Sequence, residues 1–250
     1  MQVNKKIYFL SDFHLGAPNA QASLVREKKV VSFLNSIKHE ASAIFIVGDM
    51  FDFWFEYKNV VPKGYTRILG KLAELSDLGI QLHFFVGNHD MWMSGYFEQE
   101  FNMPVYHHPK EFEFNGQRFL IGHGDGLGPH DYGYKLLKKV FRNKFCQFLF
   151  GFVHPFIGIN IANYFSRKSR QKTGASDAIF LGEEKEWLVQ YCKKKLETEE
   201  FDYFIFGHRH LPLNIKLNNT STYINLGDWI THFTYAVFDG EKVELKKWED

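Results

Sequence analysis

Five short stretches of the chain crowd aspartate, asparagine and histidine directly behind apolar runs. They are Asp12 and His14 in SDFHLG, Asp49 and Asp52 in VGDMFD, Asn88, His89 and Asp90 in VGNHDM, His123 and Asp125 in GHGDG, and His208 and His210 in FGHRH. Singly they say little. Asn and Asp favour turns, and a lone Gly-His-x-His is a weak ligand pair. Five in order, each at the end of an apolar run, are poorly explained by turns. Carboxylates brought together repel, so their convergence calls for a cation. Imidazole suits zinc, iron, nickel or copper, and carboxylate or amide oxygen suits harder ions, so a mixed set without thiolate fits manganese, iron or zinc. Six to eight donors exceed what one tetrahedral ion takes. Two ions sharing Asp49 are the economical arrangement, and a pair of ions clamps both oxygens of an in-line displacement at phosphorus. Asp52 and Asp90 are expected to orient imidazoles from behind, with turn formation or capping as the alternative. Asp125 does the same or supports the loop Gly122–Gly128. His39, His83, His107, His108 and His154 have no partner pattern and read as surface or satisfied core.

The apolar runs must position these groups. Ile7–Leu10, Ile44–Val47, Leu82–Val86, Phe119–Ile121, Tyr203–Phe206 and Tyr223–Leu226 are short and end in Gly, Asp, Asn or His, as strands buried on both faces do. Leu24, Val30, Val31, Leu34 and Ile37 mark one helix face, and Ile68, Leu69, Leu72 and Leu75 mark another, closed by Gly79. Alternating strands and helices predict an α/β first half with a largely parallel sheet, whose carboxyl edge is where ligands bind. EFEFNGQRFLIG alternates around Asn115-Gly116, a hairpin signal. The segment 211–248 is again β-rich. The expected fold is α/β, with two mixed sheets packed together in one domain over residues 1–250.

Residues 126–175 differ. Nine Lys and Arg stand there against Asp131 alone, an excess of eight positive charges, which leaves −7 on the rest of a chain whose total is +1. Phe145–Phe165 is apolar but interrupted by Gln147, His154, Pro155, Asn160 and Asn163. A membrane span wants ~20 predominantly apolar residues, so the pattern predicts two helices broken near His154-Pro155 in a basic helical insertion. Phe141, Phe145, Phe148, Phe152 and Phe156 are candidates to line an acyl pocket or dip into a membrane interface, with ordinary core packing as the alternative. A hydrophobic content of 45% with 27 Phe permits a sizeable core. Cys146 and Cys192 lie in no metal spacing and read as reduced thiols. The N-terminus shows no secretory leader pattern.

In this order, D-x-H, GD, GNH(D/E), GH and GHxH resemble the calcineurin-like metallophosphoesterases over roughly 5–125 and 200–230. The resemblance implies a sandwich of two mixed β-sheets flanked by helices. It implies one metal on Asp12, His14 and His210, a second on Asn88, His123 and His208, Asp49 bridging, and His89 as the catalytic histidine. GDMFDFWF, GHGDG with Asp131 eight residues after His123, the basic insertion, and NLGDW at 225–229 are similar to the family's UDP-2,3-diacylglucosamine hydrolase branch. That likeness implies cleavage of a nucleotide–lipid diphosphate with Mn2+, by a cytoplasmic enzyme peripherally bound to the inner membrane. Where that branch carries Arg, this chain has His89. Asn88, His89 and Asp131 are then expected at the substrate. Arg167, Lys168, Arg170 and Lys172 are candidate phosphate contacts. Two other readings stay open. One is a soluble metallophosphodiesterase for nucleotides or nucleic acid ends, which the basic surface suits equally, although no aromatic–basic nucleic-acid module is present and no stable nucleic-acid partner is expected. The other is a non-catalytic scaffold, against which the complete donor set argues.

Overall fold

The computed structural model describes residues 5–128, 138–177 and 179–249, without the side chains of 163, 167 and 169–177. Among the described residues eleven strands form two mixed sheets. The first contains β1 (Lys6–Leu10), β2 (Ala41–Val47), β3 (Gln81–Phe85), β4 (Val105–Tyr106), β10 (Thr234–Phe238) and β11 (Val243–Lys247), in the order β11-β10-β1-β2-β3-β4. The second contains β5 (Lys110–Phe114), β6 (Gln117–Gly122), β7 (Tyr203–Phe206), β8 (Pro212–Lys216) and β9 (Thr222–Leu226), in the order β5-β6-β7-β9-β8. Each sheet is parallel at its centre and antiparallel towards an edge. Phe9, Phe45, Val47 and Phe85 of the first sheet pack on Phe119, Ile121, Ile205 and Ile224 of the second. The outer face of the first sheet is covered by helices α1 (Ala20–Ile37) and α2 (Thr66–Asp77). The outer face of the second carries the helix Trp187–Lys195.

Local signals explain the joints. Asn19 caps α1 by accepting a bond from the Ala22 amide. Gly79, at φ 77°, closes α2, with the Gly79 and Ile80 amides turned back to Ser76 and Leu75. Asn115 and Gly116, at φ 51° and 76°, make the tight turn between β5 and β6.

On α1 the buried face is not wholly the expected one. Phe33 is buried, Leu24 and Val31 are only half-buried, and two charged residues, Arg26 and Glu27, point inward. Both charges are satisfied. The Arg26 guanidinium donates to the carbonyls of Phe13, His14 and Ala17 at 3.0, 2.9 and 3.2 Å. The Glu27 carboxylate accepts from the Arg67 and Ile68 amides, which begin α2 and have no partner within it.

Within 126–175, residues 138–142 are helical, followed by helices Lys144–Gly151 and Pro155–Asp177. Trp92 and Phe55 anchor them. The Trp92 indole donates to the Phe141 carbonyl at 2.6 Å, and Phe150 lies 4.7 and 4.8 Å from the Trp92 and Phe55 rings. Among the described residues no helix is long and apolar enough to cross a membrane.

Candidate metal centre

The carboxyl ends of β1, β2, β3, β6 and β7 meet at one rim. There Asp12, His14, Asp49 and His123 are almost wholly buried. Asp12 Oδ1 faces His14 Nε2 at 3.7 Å and His210 Nε2 at 3.4 Å, and those two ring nitrogens are 3.2 Å apart. Beside this group, Asn88 Oδ1 lies 3.3 Å from His123 Nε2 and 2.9 Å from His208 Nδ1. Asp49 stands between the two groups. Its Oδ2 is 3.6 Å from His14 Nε2 and 3.3 Å from His123 Nε2, while Oδ1 accepts a bond from the His89 amide.

The backbone is bent to achieve this. Asp12, His14, Asp49, His208 and His210 have φ of 58°, 43°, 51°, 69° and 50°, in the left-handed region that side chains other than glycine disfavour. Neighbouring glycines make room. A Cβ on Gly87 would sit 2.1 Å from Asp49 Oδ1, and one on Gly207 would sit 2.6 Å from Asp12 Oδ2.

Other groups fix the donors. His123 Nδ1 faces the Val47 carbonyl at 2.9 Å, an acceptor only, so Nδ1 carries the proton and Nε2 faces the centre. Asp52 Oδ1 lies 3.5 Å from His14 Nδ1 and 3.6 Å from His89 Nδ1. Asp90 turns elsewhere. Its carboxylate accepts from the Gly87, Met50 and Phe51 amides, tying the loop that carries Asn88 to the loop that carries Asp49. The sequence reading did not single out Asp228, whose Oδ2 is 3.3 Å from His210 Nδ1 and whose Oδ1 accepts from the amides of residues 230–232. Its signal was present in NLGDW, where an acid follows the apolar run of β9. Ser166, also unforeseen, reaches from the helix Pro155–Asp177 to His89 Nδ1 at 3.0 Å.

The family pattern for calcineurin-like phosphoesterases matches residues 5–212. The chain is a calcineurin-like phosphoesterase. This phosphoesterase is 38% identical to the UDP-2,3-diacylglucosamine hydrolase of Porphyromonas gingivalis, with 99% of each chain covered. It is 28% identical to the protein of that name from Proteus mirabilis, over 95% of this chain and 96% of the relative. Among solved structures, the phosphoesterase YfcE of E. coli aligns with a TM-score of 0.47 and 15% identity, over 97% of this chain and 92% of that one.

The phosphoesterase is therefore an enzyme that hydrolyses phosphoester bonds, and its family implies divalent metal ions. The donor chemistry fits such ions. Asp12 Oδ1 is buried without a hydrogen bond and points at two ring nitrogens. Asp12, His14 and His210 offer one ligand atom each within 4.8 Å of one another, and so do Asp12, Asp49 and His123. The electrostatics agree. Burial opposes charge on His14, yet the carboxylates of Asp12, Asp52 and Asp49 raise its pKa to about 10. Burial likewise opposes charge on His123, and Asp49 raises it to about 10. A cluster that holds such protons against burial is one that positive charge stabilises. Burial together with the charge on His123 lowers His208 to about 4, which keeps it a neutral donor. Burial and the charge on Asp49 push Asp90 up to about 7.

Among the residues expected at the substrate, Asn88 and His89 lie at the centre. Lys168 is exposed on the helix Pro155–Asp177, which also carries Arg167, Arg170 and Lys172. The side chains of those three, and the whole of Asp131, lie outside the described residues.

Proposed function

We propose that this phosphoesterase hydrolyses the diphosphate of UDP-2,3-diacylglucosamine to UMP and 2,3-diacylglucosamine 1-phosphate, a step of lipid A synthesis, at the cytoplasmic face of the inner membrane. The carrying observation is the likeness, over 99% of both chains, to a relative of that activity by name. Two divalent ions, Mn2+ first, are assigned to Asp12, His14 and His210 and to Asn88, His123 and His208, with Asp49 shared. When bound, such ions supply a nucleophile at neutral pH and neutralise charge on the phosphoryl oxygens.

The protein's own groups do the rest. Asp52 holds the His14 and His89 rings, and Asp228 holds His210. His89 Nδ1 faces the Asp52 carbonyl at 3.1 Å, so its proton is committed there and the Nε2 edge is left for the substrate, where it stabilises charge at phosphorus or in the leaving group. Asp90, by fixing two ligand loops, preserves spacing and does not itself act on the substrate.

The surface of the insertion supports a lipid substrate. Phe145, Phe148, Phe152 and Phe156 are 66%, 60%, 75% and 72% exposed, on helical segments that also carry the exposed cations Lys144 and Lys168. Aromatic groups flanked by cations suit the interface of an anionic bilayer.

Turnover tests the reading. The purified enzyme with Mn2+ is given UDP-2,3-diacylglucosamine and, separately, a simple aryl phosphodiester. The expected result is release of UMP from the lipid nucleotide. Turnover of the aryl diester alone rejects the lipid assignment and favours a soluble phosphodiesterase.

A further inference from the structure

The centre has two unlike flanks. His89, beside His14, meets the insertion's long helix through Ser166. His123, on the other side, opens into a cavity of about 750 Å³ that none of the exposed phenylalanines lines. Its walls carry Tyr106, His108, Lys138, Lys139 and Arg142, and its floor reaches His123 itself. The size falls within the ~300–1,000 Å³ of small-molecule sites.

The lining is built for an anion. Among the described residues it holds three cations, Lys138, Lys139 and Arg142, and one carboxylate, Asp125. Lys138 neutralises that carboxylate at 2.5 Å and also donates to the Asp125 carbonyl. Two positive charges remain in excess. Arg142 is held in place rather than free to swing: one terminal nitrogen donates to the His107 carbonyl at 2.6 Å, and the other lies 3.4 Å from His108 Nδ1. Its Nε is buried without a hydrogen bond. Partial burial, with Arg142 next, lowers the pKa of both His107 and His108, so both rings stay neutral and present flat, polarisable faces.

We infer that this cavity is a nucleoside-monophosphate subsite, in which Arg142 and Lys139 take the phosphate and the imidazole and phenol walls take the base. The inference rests on the proposed substrate and adds to it a direction: the nucleotide leaves on the His123 side, the acylated sugar phosphate on the Ser166 side. A phosphate monoester carries about −1.5 to −2 at neutral pH, which the excess of two cations matches.

Inhibition by UMP tests it without the lipid. Hydrolysis of an aryl phosphodiester by the Mn2+-loaded enzyme is measured against UMP and, in parallel, against inorganic phosphate. UMP is expected to inhibit at least about tenfold more tightly than phosphate. Arg142→Ala and Lys139→Glu are each expected to weaken UMP inhibition by about tenfold, the scale of one charge-assisted contact, with phosphate inhibition weakened in the same direction because both residues hold the phosphate group. Lys139 is exposed, so its replacement does not threaten folding. Equal inhibition by UMP and phosphate, or UMP inhibition that neither variant moves, overturns the subsite. If UMP inhibition responds but UDP-2,3-diacylglucosamine is not cleaved, the substrate reading fails and the nucleotide subsite stands. If the lipid nucleotide is cleaved while UMP inhibition ignores both variants, the reverse holds.

Discussion

Asp49 shows how much one side chain is asked to do here. One oxygen looks at two imidazoles from different strand ends, and the other is tied to a backbone amide. Asp49→Asn keeps the shape and removes the charge. It is expected to cut phosphodiester turnover by about 10³-fold or more and to lower bound metal, measured by elemental analysis of protein purified without chelator. Asp228 acts one step further out, on the His210 ring. Asp228→Asn is expected to weaken metal affinity or activity by about 10–100-fold, read by titration with Mn2+, while the melting temperature of the metal-free protein shifts little. These two residues also mark what a sequence can disclose. Asp49 was legible because a carboxylate directly behind a buried apolar run has no business there unless something needs it. Asp228 sits in a similar place after β9, yet its partner is His210, eighteen positions back, and nothing in local spacing joins them. Arg142 and His108 were illegible for the same reason. Their significance is a cavity, which exists only once the insertion lies against the strand ends.

At the level of elements, periodicity located α1 and α2 and the Asn115-Gly116 turn, since each answers to local rules. It misjudged part of the inner face of α1, because charged residues count as outward unless their partners are known. Arg26 is the costly one to lose. Arg26→Met would take the guanidinium from three carbonyls of the Asp12–Ala17 loop, of which that of His14 keeps the Ala17 amide, an expected destabilisation of about 3 kcal/mol, read by urea unfolding, with activity falling beyond what the unfolded fraction explains. A second strand-level effect depends on pH. His83, on β3, stacks on Phe45 at 4.3 Å and faces Tyr106 Oη at 3.2 Å. Burial, aided by Lys110, lowers its pKa to about 4. Since the unfolded chain takes up a proton near pH ~6.5 and the folded one does not until about 4, the neutral ring's contribution is full above pH ~6.5 and fades as pH falls towards 4. Urea unfolding at pH 7 and pH 5 is expected to show a larger loss for the wild type than for His83→Phe. An equal loss would remove His83 from the account.

The molecule as a whole separates its tasks by direction. The strands bring the donors to one rim, the basic cavity opens from His123, and the exposed phenylalanines lie along the helical segments 144–152 and 155–177, lining none of it. If that apolar surface meets lipid, Phe148→Ser combined with Phe152→Ser is expected to reduce sedimentation with anionic phospholipid vesicles by about tenfold or more, without changing hydrolysis of a water-soluble diester. The fold class was readable from alternation alone, but this division of labour was not, because it belongs to the way the insertion docks through Phe55, Trp92 and Phe150.

The left-handed turns at the rim carry a practical consequence for anyone dissecting it. Alanine, the customary probe, would keep the awkward twist at His208 while discarding the imidazole, mixing two injuries in one measurement. Glycine at that position sheds the imidazole but sits at φ 69° comfortably. His208→Gly should outlast His208→Ala on heating, the two being equally inert, and the gap between their melting points would gauge how hard the chain is wrung to aim that one ring.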